Sequence, residues 1–339
     1  MMRNKTISQV GAAGIVLACL AFLLFAPPYK GHSRVIIEAL NYGHLPLFGV
    51  IAIAFIPLTE KGCGRFRNYS LAFGFTILLG LAIEIIQLFM PDRFFELRDL
   101  LYDGLGAATF LAFVYPFPDN AIKRRVRFAM IGIIIASSTP LLLGLEDAYR
   151  MARAFPLIAS FETHAEMRRW NAKESIVEQS HLHAADGEFS AKIILFPGKY
   201  PGYSTELFIG DWVGYTLISY DVFVTGDMPL YLSIRINDKH HNEAHSDRFN
   251  REFILSSGFN HIAISLREVA LAPHGRLMDM HHITTFCIFS HNLQKTRTIF
   301  FDNLRLVKQD PNFSISSSNN DANLPTTDSA GMPHNQSPR

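Results

Sequence analysis

The chain has 339 residues, 49% of them hydrophobic, with 31 Lys and Arg against 30 Asp and Glu and a formal net charge of +1. A balance this close to neutral excludes the broad cationic surface that a nucleic-acid partner requires, and Cys19, Cys63 and Cys287 are too few and too scattered for an intrachain disulfide framework. The average hides two halves: apolar segments fill residues 1 to about 146, and strand-like runs punctuated by turns follow.

Apolar segments at residues 8–27, 43–58, 70–90, 99–117 and 128–146 each come near the ~20 residues that cross about 30 Å of hydrocarbon. They predict a bundle of about five transmembrane helices. Basic residues segregate between the connecting segments. Arg3 and Lys5 precede the first span, Lys61, Arg65 and Arg67 join the second to the third, and Lys123, Arg124, Arg125 and Arg127 join the fourth to the fifth. By the positive-inside rule the N-terminus is cytoplasmic and everything after Glu146 is exported. A cleaved signal peptide is the alternative for the first segment, but Ala26, Pro27 and Pro28 make a poor cleavage site.

Ionisable residues interrupt these spans. Glu84 and Gln87 share one helical face near the outer end of the third span, Asp99 and Asp103 do so at the start of the fourth, and His44 opens the second on the same side. Charge in hydrocarbon costs several kcal/mol, so such residues pair with one another or line a polar pocket. Arg93, in the connection from Pro91 to Arg98, is a ready partner for the acids. Two readings stand: an ion-pair network that locks the helices, or a functional pocket. Gly104, Gly106, Ala107 and Ala108 add a small-residue surface for close helix contact.

The stretch Glu84-Ile85-Ile86-Gln87-Leu88-Phe89-Met90-Pro91-Asp92-Arg93, followed by Asp99, Asp103 and Gly106, resembles the VanZ-like membrane proteins. Glu84, Gln87, Pro91, Arg93, Asp99 and Gly106 match that family's pattern, Asp103 stands where Asn is usual, and His44 resembles its early-span His. The resemblance covers roughly residues 30–117. It implies a bacterial envelope protein, with some relatives linked to low-level glycopeptide (teicoplanin) resistance, and it implies no particular reaction.

From about residue 155 the texture becomes β-rich. The clearest alternation is 229–237, where Leu230, Leu232, Ile234 and Ile236 oppose Tyr231, Ser233, Arg235 and Asn237. Similar runs at 157–162, 190–196, 204–209, 216–224, 251–255, 260–266, 283–289 and 298–307 bring the expectation to about nine strands, which suits a jelly-roll sandwich. Sugars are held by stacking on aromatic rings and by planar polar side chains. The candidates are Trp212, Tyr215, Tyr231, Arg235, Asn237, Asp238, His240, Asp247, Arg248 and Asn250. Trp212 and Tyr215 read equally as caps on the sandwich core, and Asp247 and Arg248 as loop-fixing residues. His240, His241 and His245 invite a zinc reading, but no second ligand pair stands at structural-site spacing.

This half resembles carbohydrate-binding modules of the galactose-binding-like jelly-roll type, on the opening Phe161-Glu162, the closing Ile299-Phe300-Phe301-Asp302-Asn303-Leu304-Arg305-Leu306 and the strand order. Such modules often bridge an acid of the first strand to one of the last through calcium, and Glu162 and Asp302 occupy those places. Structural calcium is the one cofactor implied.

No Gly-x-Ser-x-Gly, phosphate loop, HExxH or CxxC occurs, so the reading leans away from an enzyme. The expected organisation is α + β in separate domains: residues 1–150 a VanZ-like transmembrane bundle, 151–309 an extracytoplasmic β-sandwich, and 310–339 a disordered tail poor in apolar residues. The expected function is an inner-membrane envelope protein whose exported domain binds carbohydrate, in wall or surface-polysaccharide maintenance or glycopeptide resistance, with the buried acids facing a lipid-linked glycan headgroup. The alternative is a membrane enzyme that hydrolyses or transfers a group on a lipid-linked glycan with the Glu84, Asp99 and Arg93 cluster.

Overall fold

The structure, a computed structural model, describes residues 10–19, 33–59, 64–90 and 95–308. Arg93 and the tail at 310–339 lie outside the described residues, as do parts of the first apolar segment. Six helices come first: α1 (Val10–Cys19), α2 (Arg34–Thr59), α3 (Arg65–Gln87), α4 (Leu97–Val114), α5 (Asn120–Ser137) and α6 (Thr139–Ala154). Five spans were expected. Among the described residues, three stretches are long and apolar enough to cross a membrane, namely Arg34–Thr59, Arg65–Gln87 and Asn120–Ala154.

Two differences from the sequence expectation have clear causes. The second span begins at Arg34 rather than residue 43, because Glu38, which reads as a loop charge, is buried in α2 and ion-paired with Arg98 of α4. The fifth is two helices meeting at Ser138. Pro140 has no N–H for the Ala136 carbonyl, and the Thr139 hydroxyl donates to that carbonyl instead (2.8 Å). Tyr42 and Tyr102 donate to the nearby Ile134 and Ser137 carbonyls, so the break leaves no polar backbone stranded.

α2 packs most extensively on α4. Glycine permits the approach: a Cβ at Gly106 would run into the Leu45 carbonyl of α2, and one at Gly49 into the Phe110 ring of α4.

Beyond α6 come eleven strands: β1 (Leu157–Ala159), β2 (Trp170–Lys173), β3 (Ser175–Ser180), β4 (Ser190–Leu195), β5 (Gly202–Thr205), β6 (Leu217–Val224), β7 (Leu230–Asp238), β8 (Phe249–Leu255), β9 (Gly258–Ser265), β10 (Ile283–Phe289) and β11 (Arg297–Val307). Short helices α7 (His164–Met167) and α8 (Leu266–Leu271) intervene. One antiparallel sheet runs β3-β4-β11-β6-β9 with β1 against β11, and the other runs β2-β5-β10-β7-β8. β2 and β3 escaped the sequence reading because both are edge strands, and edges carry exposed polar residues such as Lys173 and Glu178 in place of a clean apolar face.

The inward positions of both sheets form one core. At its centre Phe161, Trp170, Tyr203, Tyr220, Phe286 and Phe301 pack ring on ring, all 7% exposed or less. Each such ring contributes roughly 1.5–3 kcal/mol by burial. Phe161 holds its place at φ 58°, a backbone conformation uncommon for a bulky residue.

The sheet domain meets one end of the bundle. Arg169, just before β2, donates three hydrogen bonds to Asp147 of α6 (2.7, 3.1 and 3.2 Å), and the two side chains are only 5% and 4% exposed. Beside this pair a cavity of about 270 Å³ is lined by Arg34 of α2, Gly144 and Met151 of α6, and Phe208 of the sheet domain.

Candidate functional site

Two polar regions stand out. The first is in the helices. His44 of α2 donates from Nδ1 to Asp103 Oδ1 of α4 (2.9 Å), and its Nε2 lies 3.7 Å from Asp99 Oδ2. Glu84 of α3 accepts from the Glu96 backbone N–H (3.0 Å), which ties the end of α3 to the start of α4. Gly80 makes room for Asp103, since a Cβ there would lie 2.5 Å from Asp103 Oδ2. Glu84, Gln87 and Asp103 are 1%, 5% and 1% exposed, while His44 and Asp99 keep 16% and 15% of their side chains open. Asp99 Oδ1 is buried and accepts no hydrogen bond among the described residues.

Four of the six residues singled out in the sequence, His44, Glu84, Asp99 and Asp103, thus converge where three helices meet. Gln87 lies one turn along α3 from Glu84. The contact is mostly closed and is most open on the His44–Asp99 edge. The sequence reading missed the Glu38–Arg98 ion pair, because Glu38 precedes the apolar run in which it was expected to have no part. The start of α2, the end of α3 and the start of α4 gather here, at the same end of the bundle as the Asp147–Arg169 junction.

The second region is the outer face of the sheet β2-β5-β10-β7-β8. Register puts Asn171, Ser204, Cys287, Arg235 and Asn250 in one row across it, and Thr285 beside Asn237 in the next. Tyr231 points outward at 51% exposure, and Tyr200 at 39% stacks on His291 (5.3 Å). Beside them opens a cleft of about 530 Å³, lined by Glu206, Arg235, Asn237, His241, Glu243 and Thr285 among others.

Arg276 frames the cleft. Its guanidinium donates to both Asp238 oxygens (2.6 and 2.9 Å) and to Asp247 Oδ1 (2.6 Å), which pins the loop around the single turn His245–Asp247. Its own pKa is pushed up by these hydrogen bonds. The Asp238 carboxyl sits below the usual range although burial opposes it, because Arg276 and the Asp279 N–H outweigh burial. Asp247 is lowered chiefly by Arg276, and Asp279 is brought down to about 2, against burial, by His282 and Lys239. Carboxyls lowered on folding stabilise the loop fully above their unfolded range near pH 4, and that stabilisation is lost as pH falls toward the folded values. Acid titration between about pH 4 and 2 is therefore expected to free this loop before the core melts, seen as early loss of amide protection at residues 238–247. Arg276→Gln is expected to bring the same opening at neutral pH.

His241 has a side chain only 3% exposed. Its Nδ1 donates to the Asp247 carbonyl (3.0 Å), and its Nε2 faces the cleft 3.8 Å from Glu243 Oε2. That Nε2 has no hydrogen-bond partner.

Of the sequence candidates, Arg235, Asn237 and Asp238 line the cleft and Tyr231 and Asn250 share its face. Arg248 precedes β8, two residues from Asn250, the partner of Arg235. His240 is exposed near Asp279 (3.6 Å). Asp247 is committed to Arg276 and holds the loop. Trp212 is 1% exposed, with its indole N–H on the Ile209 carbonyl (3.1 Å), so its ring fills the core and offers no face to a ligand. Tyr215 packs against Phe155 (5.5 Å) beneath Lys308 and takes no part in the cleft. Glu206, Glu243, Thr285 and Arg276 were missed. Thr285 was legible as an outward position of the run 283–289 and Glu206 lies in the run 204–209, just past the end of β5, whereas Glu243 and Arg276 come from loops with no period to follow.

Glu162 and Asp302 do share a site. Glu162 accepts from the Glu188 and Phe189 N–H groups, and Asp302 from those of Ala185, Asp186 and Asn303. Burial, with Glu162 adding to it, pushes the Asp302 carboxyl up to about 6. Calcium needs six to eight oxygens, yet these carboxylates are already met by N–H donors, and among the described residues no group of three or more His, Cys, Asp or Glu is placed to hold a metal. The side chains present do not complete a calcium shell, and His240, His241 and His245 do not form a zinc site. The acids instead clamp the 185–189 loop.

Comparison with curated proteins gives no match. Among solved structures, the chain is similar to a family 11 carbohydrate-binding module from Clostridium thermocellum in complex with a β-1,3-1,4-mixed-linked tetrasaccharide, at 16% identity and TM-score 0.37 over 45% of this chain and 94% of that one. It is also similar to an exo-β-agarase (13% identity, TM-score 0.38, 46% and 25% covered). A third is a CBM22-1 xylan-binding domain from Paenibacillus barcinonensis (16% identity, TM-score 0.33, 46% and 96% covered). Residues 10–117 match the family model VanZ/LLP1. The VanZ/LLP1 match thus covers residues 10–117, which include the His44, Glu84, Asp99 and Asp103 contact, and an antiparallel two-sheet domain follows the helices.

Proposed function

We propose that this is a bacterial envelope protein in which residues 1–150 span the cytoplasmic membrane, by about five helices, and hold an exported jelly-roll domain, residues 151–309, that binds glycan. The observation that carries the reading is the outer face of the sheet β2-β5-β10-β7-β8. It puts the exposed Tyr231 ring, the planar Arg235 and Asn237 groups and the His241 ring along one surface that opens into the cleft. A sugar ring needs a flat apolar platform beside fixed donors and acceptors, and this face supplies both. The basic residues of the connecting segments support an exported sheet domain. The bundle end that bears this domain also holds the buried acids, so a glycan still attached to its lipid carrier would meet both.

The test is binding by the full chain in nanodiscs to a panel of soluble β-glucans, xylan and cell-wall polysaccharide. Tyr231→Ala and Asn237→Ala are each expected to weaken binding about tenfold. Retention of no glycan by the wild-type chain would refute the reading. A second reading, acid–base chemistry on a lipid-linked glycan, is favoured by one observation: His44 is oriented by Asp103 while Asp99 Oδ1 is unpartnered. Turnover that Glu84→Gln abolishes would select it.

A further inference from the structure

Two arginines on the proposed glycan face are handled differently from the third nearby. Arg276 is answered by two carboxylates, each within 2.6 Å. Arg235 gives its Nε to Asn237 Oδ1 (3.0 Å) and meets one carboxylate, Glu243, at 3.8 Å, from a side chain 84% exposed. Arg248 forms no hydrogen bond among the described residues, and its Nε is buried without a partner. Register pairs Arg235 with Asn250, two residues from Arg248, so both arginines stand at one end of the β7–β8 pair, and Arg248 is lowered first by burial and then by Arg235, with Glu243 opposing this. Lys173, on the edge strand β2, adds a third cation beside Cys287, in the row between Ser204 and Arg235.

Bringing half-buried guanidiniums together is costly unless an anion answers their charge. The other acids of the cleft, Glu206 and Asp238, line it with Glu243, and Arg248 is not among its lining residues. The unmet charge is thus at the Arg248 end of β8, next to Asn250 and away from Tyr231, because Glu252, opposite Ser233, lies on the Tyr231 side of Arg235.

We propose that the glycan bound here is acidic, with a carboxylate or an ester sulfate or phosphate of a sugar unit seated between Arg235 and Arg248. This rests on the glycan-binding reading and adds the ligand class to it. Guanidinium forks match the paired oxygens of such groups, which a neutral hydroxyl pair does less well. Lys173 offers a weaker point charge to the next acidic unit along the chain.

The experiment measures retention of the full chain in nanodiscs on polygalacturonate, on the same polymer after reduction of its carboxyls, and on a sulfated polysaccharide, at low and high salt. Polygalacturonate or the sulfated polymer is expected to bind at least about tenfold tighter than the reduced one and to lose that margin in high salt. Which of the two binds tighter identifies the anion. Arg235→Gln and Arg248→Gln should each remove most of the margin, and Arg248→Lys, which keeps charge but not the fork, should fall between. Equal binding of acidic and reduced polymer overturns the anion assignment and leaves the glycan reading standing. So does a margin that survives in the Arg235→Gln/Arg248→Gln double variant with the fold intact by circular dichroism. No binding to any polymer, neutral or acidic, defeats the glycan reading itself.

Discussion

Asp147→Ala is expected to destabilise the junction of helices and sheets by about 3–5 kcal/mol, because it leaves the Arg169 guanidinium buried without its counter-charge. Arg169→Ala should do the same from the other side. The pair has three hydrogen bonds and almost no solvent, so its value is not the ~0–1 kcal/mol of a surface ion pair. Replacing both partners with apolar residues of similar size, as Asp147→Leu with Arg169→Met, should restore most of the loss, since a buried pair and a packed apolar contact are close in free energy. Differential scanning fluorimetry of the full chain, together with trypsin cleavage near Arg168, would read both effects. The sheet domain should keep its own core, and its docking on α6 should loosen. Single variants that melt and cleave like the parent would show that the pair does not hold the junction.

His44→Leu is expected to have an effect of similar size, about 3–5 kcal/mol, in the bundle. His44 bridges two acids of α4 and lies near a third on α3. Its removal leaves Glu84, Asp99 and Asp103 without their shared imidazole, and Arg98, next to Asp99 and ion-paired with Glu38, is the base that remains beside them among the described residues. The combined His44→Leu and Asp103→Leu variant removes one of those acids together with the imidazole and should recover part of the loss. Unfolding of the purified chain by sodium dodecyl sulfate would rank the three proteins. Wild-type behaviour in His44→Leu would place the charges in a solvated pocket rather than in a contact that holds the helices together.

Much of the site was legible because its signals are local. Glu84 with Gln87 and Asp99 with Asp103 stand at helical spacing inside apolar runs, and the cost of burying charge says they must converge before any coordinates do. The run 229–237 likewise declared its wet face, and Tyr231 and Arg235 fall on it as the alternation requires, while Asn237, on the same side, is covered. What the residues withheld is non-local. That Trp212 turns into the core and Trp170 joins the central ring cluster depends on which loops fold back over the sheets. Arg276 sits between Gly275 and Leu277 in a stretch with no periodicity, and only the fold brings it to Asp238 and Asp247. The edge strands β2 and β3 were hidden by the polar residues that edges need. The break at Ser138 shows the opposite case, where a local signal, Pro140, was present and was outweighed by the apolar run around it.

The central claim, that the glycan-binding face lies outside the cytoplasm on the side of the buried acids, is tested most directly by protease added to intact spheroplasts that express the chain with an epitope tag after Arg339. Loss of the tag and of the sheet domain from intact spheroplasts is the expected result. A tag and a sheet domain that survive until the membrane is lysed would contradict it.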